Sequence, residues 1–242
     1  MLNLLASERL KLRHNKLLPI CLSIGLLVPL FFIGTDLYYL HNDGLTKNSY
    51  EWFSSLILLC QLIIYPILSS LIITFLIHRE YSDNTIINNL TSPVNRVQFI
   101  FTKIIVWLIW HMILTIGFII ILLLGVYILY GNEALLENIL KIFKLALKTS
   151  FFNFLSLIPI SFIAVLQKKK FFNSLIFSFI VTAIGFAGLY WPKFLGKIIP
   201  WSAVSLICVS TNNLGIIPYF SLFLCAIIGL ILTSFSFKHQ EI

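Results

Sequence analysis

Charged residues are scarce in this 242-residue chain: they make up 11% of the sequence, and only nine of them are acidic. No acidic residue occurs between Glu137 and Glu241, and none lies in the middle of an apolar run. Proton- and sodium-coupled carriers generally use carboxylates or broken-helix ion sites inside the membrane. The scarcity therefore argues against transport driven by an ion gradient.

Signatures of catalysis are absent as well. The sequence contains no G-x-x-x-x-G-K-[ST] phosphate-binding loop, no H-E-x-x-H zinc motif and no G-x-S-x-G nucleophile turn. It also lacks the Glu-Glu pair with distant histidines of intramembrane proteases. These absences predict a chain that is not an enzyme and that depends on another protein for energy.

Cysteine is rare, and its placement argues against disulfide bonds and metal sites. The four cysteines lie in or beside apolar runs without C-x-x-C spacing: Cys21, Cys60, Cys208 and Cys225. In that setting a cysteine behaves as a small buried apolar side chain.

Apolar residues dominate instead, at 59% of the chain, compared with about half in an ordinary soluble domain. They recur in runs of about 20 residues, the length that a helix needs to cross a bilayer. The sequence predicts an all-α integral membrane protein with one domain over 1–242 and an amphipathic interfacial helix over 1–16. Six transmembrane helices are predicted at about 17–34, 52–77, 100–130, 150–166, 171–190 and 215–235.

Two residues inside the predicted spans are unusual for a transmembrane helix. Pro66 should kink the second span unless a neighbouring side chain satisfies the carbonyl that it frees. His111 lies in the third span, where a lone histidine invites a functional interpretation. No carboxylate stands near it in sequence, so a packed or hydrogen-bonded histidine is the preferred interpretation.

The longest polar break in the first half of the chain is the segment 79–96. Ser82 or Asp83 can accept hydrogen bonds from the free N–H groups of a new first turn, which predicts a short helix over 85–90. Pro93 ends that helix and can begin the next one. We interpret the segment as a short amphipathic helix presented to a partner outside the bilayer. The alternative is an ordinary hydrophilic loop.

This segment resembles the cytoplasmic loop between the second and third spans of ABC type-2 export permeases. The shared pattern is Glu80, Thr85, Leu90, Ser92, Pro93, Arg96 and Lys103. It differs at Asn84, where Gly is usual, and at Asn88-Asn89-Leu90, where three Leu are usual. The N-terminal segment 7–13 resembles the amphipathic entry helix of the same family. With the small size and the Ile-, Asn- and Phe-rich spans, the chain is most similar to the permeases of lantibiotic-immunity and bacitracin-efflux transporters.

The resemblance implies that the segment is a coupling helix docking on cytoplasmic ATPase subunits. Those partners would bind ATP and Mg²⁺, this chain would hold no cofactor, and a second permease, identical or similar, would complete the complex. Coupling is thereby assigned to Glu80, Asp83, Thr85, Leu90, Pro93 and Arg96. For Glu80 and Arg96 the alternative is a charge pair, or snorkelling anchors, at the headgroup level.

Two other stretches have mixed patterns. Segment 133–148 repeats Glu and Lys at three- and four-residue spacing opposite apolar residues. It is either an amphipathic helix on the membrane surface or the first turns of the next span. Segment 191–213 is interrupted by Pro192 and Pro200, which predicts a re-entrant or broken helical element. The resemblance to type-2 exporters implies that this element lies on the outer side, before the last span.

The distribution of positive charge predicts the orientation. Eleven of the 17 Lys and Arg residues fall on the N-terminal side of the predicted spans and six on the other. Because Lys and Arg accumulate in cytoplasmic loops, both termini and segment 79–96 of this multi-pass protein are expected to face the cytoplasm. The family resemblance implies that the membrane is a bacterial plasma membrane. The net charge of +8 is assigned to lipid headgroups rather than to nucleic acid.

The functional hypothesis is a permease subunit of an ATP-driven exporter that expels an amphipathic antimicrobial peptide, lantibiotic or bacitracin-like, for self-protection or resistance. Apolar walls suit such a substrate, because a bare ion would find no charged partner. The alternatives are export of a lipid, a glycan or a small drug, and a non-transporting immunity subunit that only binds its peptide.

Overall fold

A computed structural model of the chain describes residues 2–12, 15–42, 48–82, 96–168, 170–209 and 214–239. Every regular element in these ranges is helical, so the predicted all-α class is confirmed. The helices are α1 (Leu2–Leu12), α2 (Leu17–Asn42), α3 (Ser49–Leu59), α4 (Tyr65–Ser82), α5 (Arg96–Leu157), α6 (Pro159–Leu166), α7 (Phe172–Ala187), α8 (Lys193–Ile198), α9 (Pro200–Val209) and α10 (Ile217–Lys238). A π-helical turn, Cys60–Ile64, joins α3 to α4.

Four helical stretches of the described chain are long and apolar enough to cross a bilayer. They are Leu17–Asn42, Ser49–Ser82, Arg96–Leu166 and Ile217–Lys238. The apolar helices α7 and α9 are shorter. The third stretch is 71 residues long, whereas one crossing needs about 20, so its path determines the architecture.

Helix α5 folds back on itself at Gly131, where the backbone adopts φ 84° and ψ −178°. Residues at similar distances before and after this glycine lie side by side. The rings of Trp107 and Phe154 are 4.6 Å apart between centroids, and His111 Nε2 lies 3.1 Å from Ser150 Oγ. The limbs 96–130 and 132–157 therefore form an antiparallel helical hairpin.

The stretch 133–148 is the first part of the returning limb. Ile142 and Ala146 are fully buried on one side of it, while Glu137 and Lys141 form an exposed ion pair at 2.9 Å on the other. This matches the second alternative for the stretch, the first turns of the next span. The returning helix consequently begins well before position 150, where the fourth span was expected to start.

The helix before Pro66 is irregular, and a neighbouring side chain supplies the compensation that the sequence analysis named as the alternative to a kink. Proline has no N–H, so it leaves one carbonyl of the preceding turn without a partner. In the π-helical turn Cys60–Ile64 the hydrogen bonds join residues five apart, which makes the carbonyl of Gln61 the unpaired one. The side chain of Asn153, on the returning limb of α5, donates to that carbonyl at 2.5 Å. A neighbouring helix therefore stabilises the irregular turn.

The side chain of Gln61 lacks any such compensation. It is fully buried, and neither its amide nitrogen nor its amide oxygen has a hydrogen-bond partner among the described residues. Mutational data on proteins indicate that a buried, unpaired amide lowers the free energy of unfolding by about 1–3 kcal/mol. The protein therefore carries a local stability cost in a π-helical turn, a feature that is frequent at functional sites.

Gln61→Leu is expected to stabilise the purified protein, by about 1–3 kcal/mol, because it removes two unpaired polar atoms from the interior. Gln167→Leu is the matched control. Gln167 is also buried, but its amide donates to Ser174 Oγ at 2.7 Å and accepts from the Ser174 backbone N–H at 3.1 Å. That variant should be destabilised. Thermal unfolding of both variants in one detergent provides the measurement, and a lower unfolding temperature for Gln61→Leu would contradict the expectation.

His111 is packed and hydrogen-bonded, as preferred from the sequence. It is 2% exposed, and Ser69 Oγ lies 3.3 Å from its Nδ1. Ser150 contacts its Nε2 through the hydroxyl at 3.1 Å and through the carbonyl oxygen at 3.2 Å. Trp107 Nε1 donates to the same Ser69 hydroxyl at 2.7 Å. These contacts join α4 to both limbs of α5 in the centre of the bundle.

The segment after α7 is broken into two short helices, α8 and α9, where Ile199 has an extended ψ of 119°. Helix α9 is buried against protein: Ala203, Val204 and Ile207 pack with Leu62 and Leu222. This satisfies the condition under which an interrupted element is tolerated at membrane depth. Its location on the outer side stays a prediction.

The four cysteines are free thiols. Cys21, Cys60 and Cys208 are buried, and Cys225 is partly exposed. The expected role as apolar packing residues agrees with these positions.

Candidate functional site

Four charged side chains meet where α1, α4 and α5 approach one another. Lys103 Nζ lies 2.6 Å from Glu8 Oε2 and 2.6 Å from Glu80 Oε1. Lys11 Nζ lies 2.8 Å from the same Glu80 oxygen and 3.3 Å from Glu8 Oε1. The two negative charges of the carboxylates equal the two positive charges of the ammonium groups. We refer to these four residues as the charge cluster.

The charge cluster is almost completely removed from solvent. Glu8 and Glu80 are each 3% exposed and Lys103 is 2% exposed, whereas 30% of the Lys11 side chain remains accessible. Burying a charge costs several kcal/mol, which only close and well-bonded counter-charges offset. Each buried member contacts two opposite charges, so the stability of the arrangement depends on all of them.

Lys11 is the member of the charge cluster that faces solvent. Burial acts to lower its pKa, but the hydrogen bond to Glu80 and the charges of Glu80 and Glu8 outweigh burial and raise the pKa above its usual 10.5. A raised lysine pKa contributes stability that is complete below the usual value and is lost as pH rises through the folded-state value. Lys11 therefore stays charged across the neutral pH range.

The local sequence explains how the side chains converge. Glu8 and Lys11 are three residues apart on α1, and therefore share one face of that helix. Arg96 and Lys103 are two helical turns apart at the start of α5. Between them, Phe99 packs its ring with the centroid 5.2 Å from Lys103 Nζ. Glu80 lies in the last turn of α4.

The residues on either side of segment 83–95 are held by two other helices. Before the segment, Arg79 Nη1 donates to the carbonyl oxygen of Lys11 on α1 at 2.8 Å. After it, Arg96 Nη1 donates to the carbonyl oxygen of Lys238, at the end of α10, at 3.0 Å. With the charge cluster, these bonds connect the two ends of the segment to α1, α4, α5 and α10.

The sequence-predicted coupling residues divide into two groups. Glu80 and Arg96 lie at the two ends of the segment, in contact with α1 and α10 as described. Asp83, Thr85, Leu90 and Pro93, together with the predicted helix over 85–90, lie outside the described residues.

Three members of the charge cluster, Glu8, Lys11 and Lys103, were not among the predicted coupling residues, and two of them had a signal in the sequence. Lys103 belongs to the family pattern given above, and it is a single charge close to a long apolar run, where charged side chains pair with one another or with backbone carbonyls. Glu8 is the one acidic residue of the N-terminal segment. The pairing between them joins residues 95 positions apart, which no local pattern reveals.

The charge cluster lies within the part of the chain that matches a known protein family. A family described as ABC-2 family transporter protein matches residues 4–185 of this chain. The bacitracin transport permease protein of Bacillus licheniformis is 32% identical to it over 198 residues, which is 79% of this chain and 92% of that protein.

Proposed function

Because the chain belongs to the ABC-2 family of transporter proteins, we propose that it is the permease subunit of an ATP-driven exporter that expels an amphipathic antimicrobial peptide from the membrane. Cytoplasmic ATPase subunits would bind ATP and Mg²⁺ and dock on segment 79–96. A second permease, identical or similar, would complete the complex. The orientation that fits this arrangement places both termini in the cytoplasm of a bacterial cell.

The observation that carries the proposal is the attachment of both ends of segment 83–95 to the helical bundle. A force applied to that segment by an ATPase would reach α1 and α4 through the charge cluster. It would reach α10 through the bond from Arg96 to the Lys238 carbonyl. The pairs that Lys103 makes with Glu8 and Glu80 are buried, and separating them would leave uncompensated charge out of water, so these pairs resist displacement.

The substrate is proposed from the chemistry of the walls and from the relative. The helices present long rows of exposed apolar side chains, such as Phe31 on α2 and Phe223 on α10. Such surfaces accept the apolar face of a peptide that lies in the membrane. The Bacillus relative is described as a bacitracin transport permease, which fits a peptide of this kind. The segments 36–50, 133–148 and 191–213 are the proposed substrate contacts.

Glu80→Gln combined with Arg96→Gln is expected to abolish coupling. The first change removes a charge from the cluster, and the second removes the bond to α10, so both connections of the segment are weakened together. We expect pull-down of the ATPase subunit and ATP-dependent peptide efflux each to fall at least about tenfold, which corresponds to a loss of roughly 1.4 kcal/mol.

The matched control is Glu137→Gln with Lys141→Gln, which removes an exposed ion pair on the returning limb of α5. Membrane levels and unfolding temperatures of both double variants should be measured. If the Glu80→Gln and Arg96→Gln double variant inserts poorly, Arg96→Gln alone is tested instead. Unchanged docking and efflux in a correctly inserted variant would show that segment 79–96 is only a connection between helices.

A further inference from the structure

A second polar feature lies at the same end of the bundle as the charge cluster. A surface pocket of about 490 Å³ opens between the end of α4, the end of α6 and the start of α7. It is lined by Tyr81, Leu166, Gln167, Lys168, Lys170 and Asn173. The lining therefore contains two ammonium groups, two amides and one phenol, and the described residues contribute no carboxylate to it. A lining with two positive charges and several hydrogen-bond donors suits an anionic ligand.

The described residues at the end of α6 and the start of α7 hold the edge of the pocket. Lys168 has a φ of 49°, in the left-handed region that residues other than glycine rarely adopt. Gln167 fixes the loop to α7 through both of its hydrogen bonds to Ser174. The N-terminus of α7 adds the positive end of its helix dipole at the same place. Gln167 and Lys168 are therefore positioned by the hydrogen bonds to α7, and Lys170 lies just before that helix.

Apolar side chains beside the pocket indicate what kind of anion it accepts. Leu166 is 53% exposed and Phe172 is 74% exposed, and they flank the lysines along the chain on either side. A small soluble anion has no apolar part that could contact these side chains, whereas a phospholipid has acyl chains next to its phosphate. Basic residues at the cytoplasmic edge of a bundle bind anionic headgroups in this way.

We propose that this pocket binds the phosphate of an anionic phospholipid, with its acyl chains on Leu166 and Phe172. The site goes beyond the proposed function, since it needs neither ATPase nor peptide. It contains Tyr81, the neighbour of Glu80 in α4, so an occupying lipid would contact the helix that leads into segment 83–95.

The test uses the full-length protein in detergent micelles and native mass spectrometry of bound lipid. Phosphatidylglycerol is compared with phosphatidylcholine of identical chains. Each lysine near an anionic headgroup contributes about a fivefold preference. We therefore expect Lys168→Gln with Lys170→Gln to lose most of a roughly thirtyfold preference for phosphatidylglycerol, and the pair Lys168→Arg with Lys170→Arg to keep it.

The control is Lys193→Gln with Lys197→Gln on α8, which makes the same change in charge away from the pocket. It should bind phosphatidylglycerol like the unmodified protein. Three results would overturn the proposal: equal binding of both lipids, an unchanged preference in the Lys168 and Lys170 variant, or full competition by millimolar glycerol 1-phosphate, which would identify a free-anion site. Loss of ATPase pull-down with an unchanged lipid preference would instead assign the lysines to protein docking.

Discussion

Lys103→Met is expected to be the most destabilising of the single substitutions considered, at about 3–5 kcal/mol. The change deletes one ammonium group that lies 2.6 Å from a carboxylate oxygen of each of two buried glutamates. Of the two ammonium groups that the cluster supplies to the buried Glu8 and Glu80, only that of Lys11 would remain. Removing one partner of a buried pair is costly because the other remains out of water, whatever the pair contributed when intact.

The matched control for this prediction is Lys141→Met. It also breaks a lysine–glutamate pair, at 2.9 Å, but both side chains are well exposed. An exposed pair four residues apart on a helix contributes about 0.3–0.5 kcal/mol. Thermal unfolding of both variants in the same detergent should therefore give a large decrease for Lys103→Met and almost none for Lys141→Met.

A compensating change separates the charge effect from lost packing. Adding Glu8→Gln to Lys103→Met leaves Glu80 paired with Lys11 and restores a neutral cluster. Much of the lost stability should return if uncompensated charge is the cause. If the double variant is no more stable than Lys103→Met, the lysine acts through its packing on Phe99 rather than through charge.

The sequence predicted those parts of the fold that depend on local chemistry. Apolar runs located the helices, Pro66 marked the irregular turn, and the pattern around Glu80 and Arg96 identified the family, which the comparisons confirm. In each case a property of neighbouring residues determines the structure. Hydropathy and the effect of proline on a helix depend on a few neighbouring residues, so a short stretch of sequence is enough to predict both.

The features that could not be predicted depend on contacts between distant residues. The partners of Glu80 in the charge cluster lie 69 and 23 positions away, at Lys11 and Lys103. A charge in sequence does not indicate which opposite charge it meets, because several arrangements neutralise it equally well. The unpaired amide of Gln61 was hidden for a similar reason, since burial of one helix depends on the packing of all its neighbours.

The exposed face of segment 133–148 does not determine where that segment lies. Its glutamates and lysines form one polar stripe, which suits both a helix on the membrane surface and the start of a returning span. The structure distinguishes them because Ile142 and Ala146 on the other side are fully buried against protein. The decisive element is the reversal at Gly131, which places that stretch beside the preceding limb.

Gly131→Ala is expected to destabilise the protein by about 1–3 kcal/mol through the backbone alone. The residue has φ 84° and ψ −178°, a conformation that is essentially restricted to glycine. A Cβ at this position would meet no atom of the described residues within 4 Å, so steric crowding by those neighbours makes no contribution. The whole cost would come from forcing an alanine into the turn that reverses α5.

Gly34→Ala supplies the matched control. A methyl group added at Gly34 would also enter open space with respect to the described residues, but Gly34 lies within helix α2. There the same substitution should be neutral or stabilising by up to about 1 kcal/mol, since alanine favours helix more than glycine does. Opposite shifts of the two unfolding temperatures would show that the hairpin depends on glycine at its turn. If both variants shift alike, the limbs determine the reversal through contacts such as Trp107 with Phe154, and position 131 only follows them.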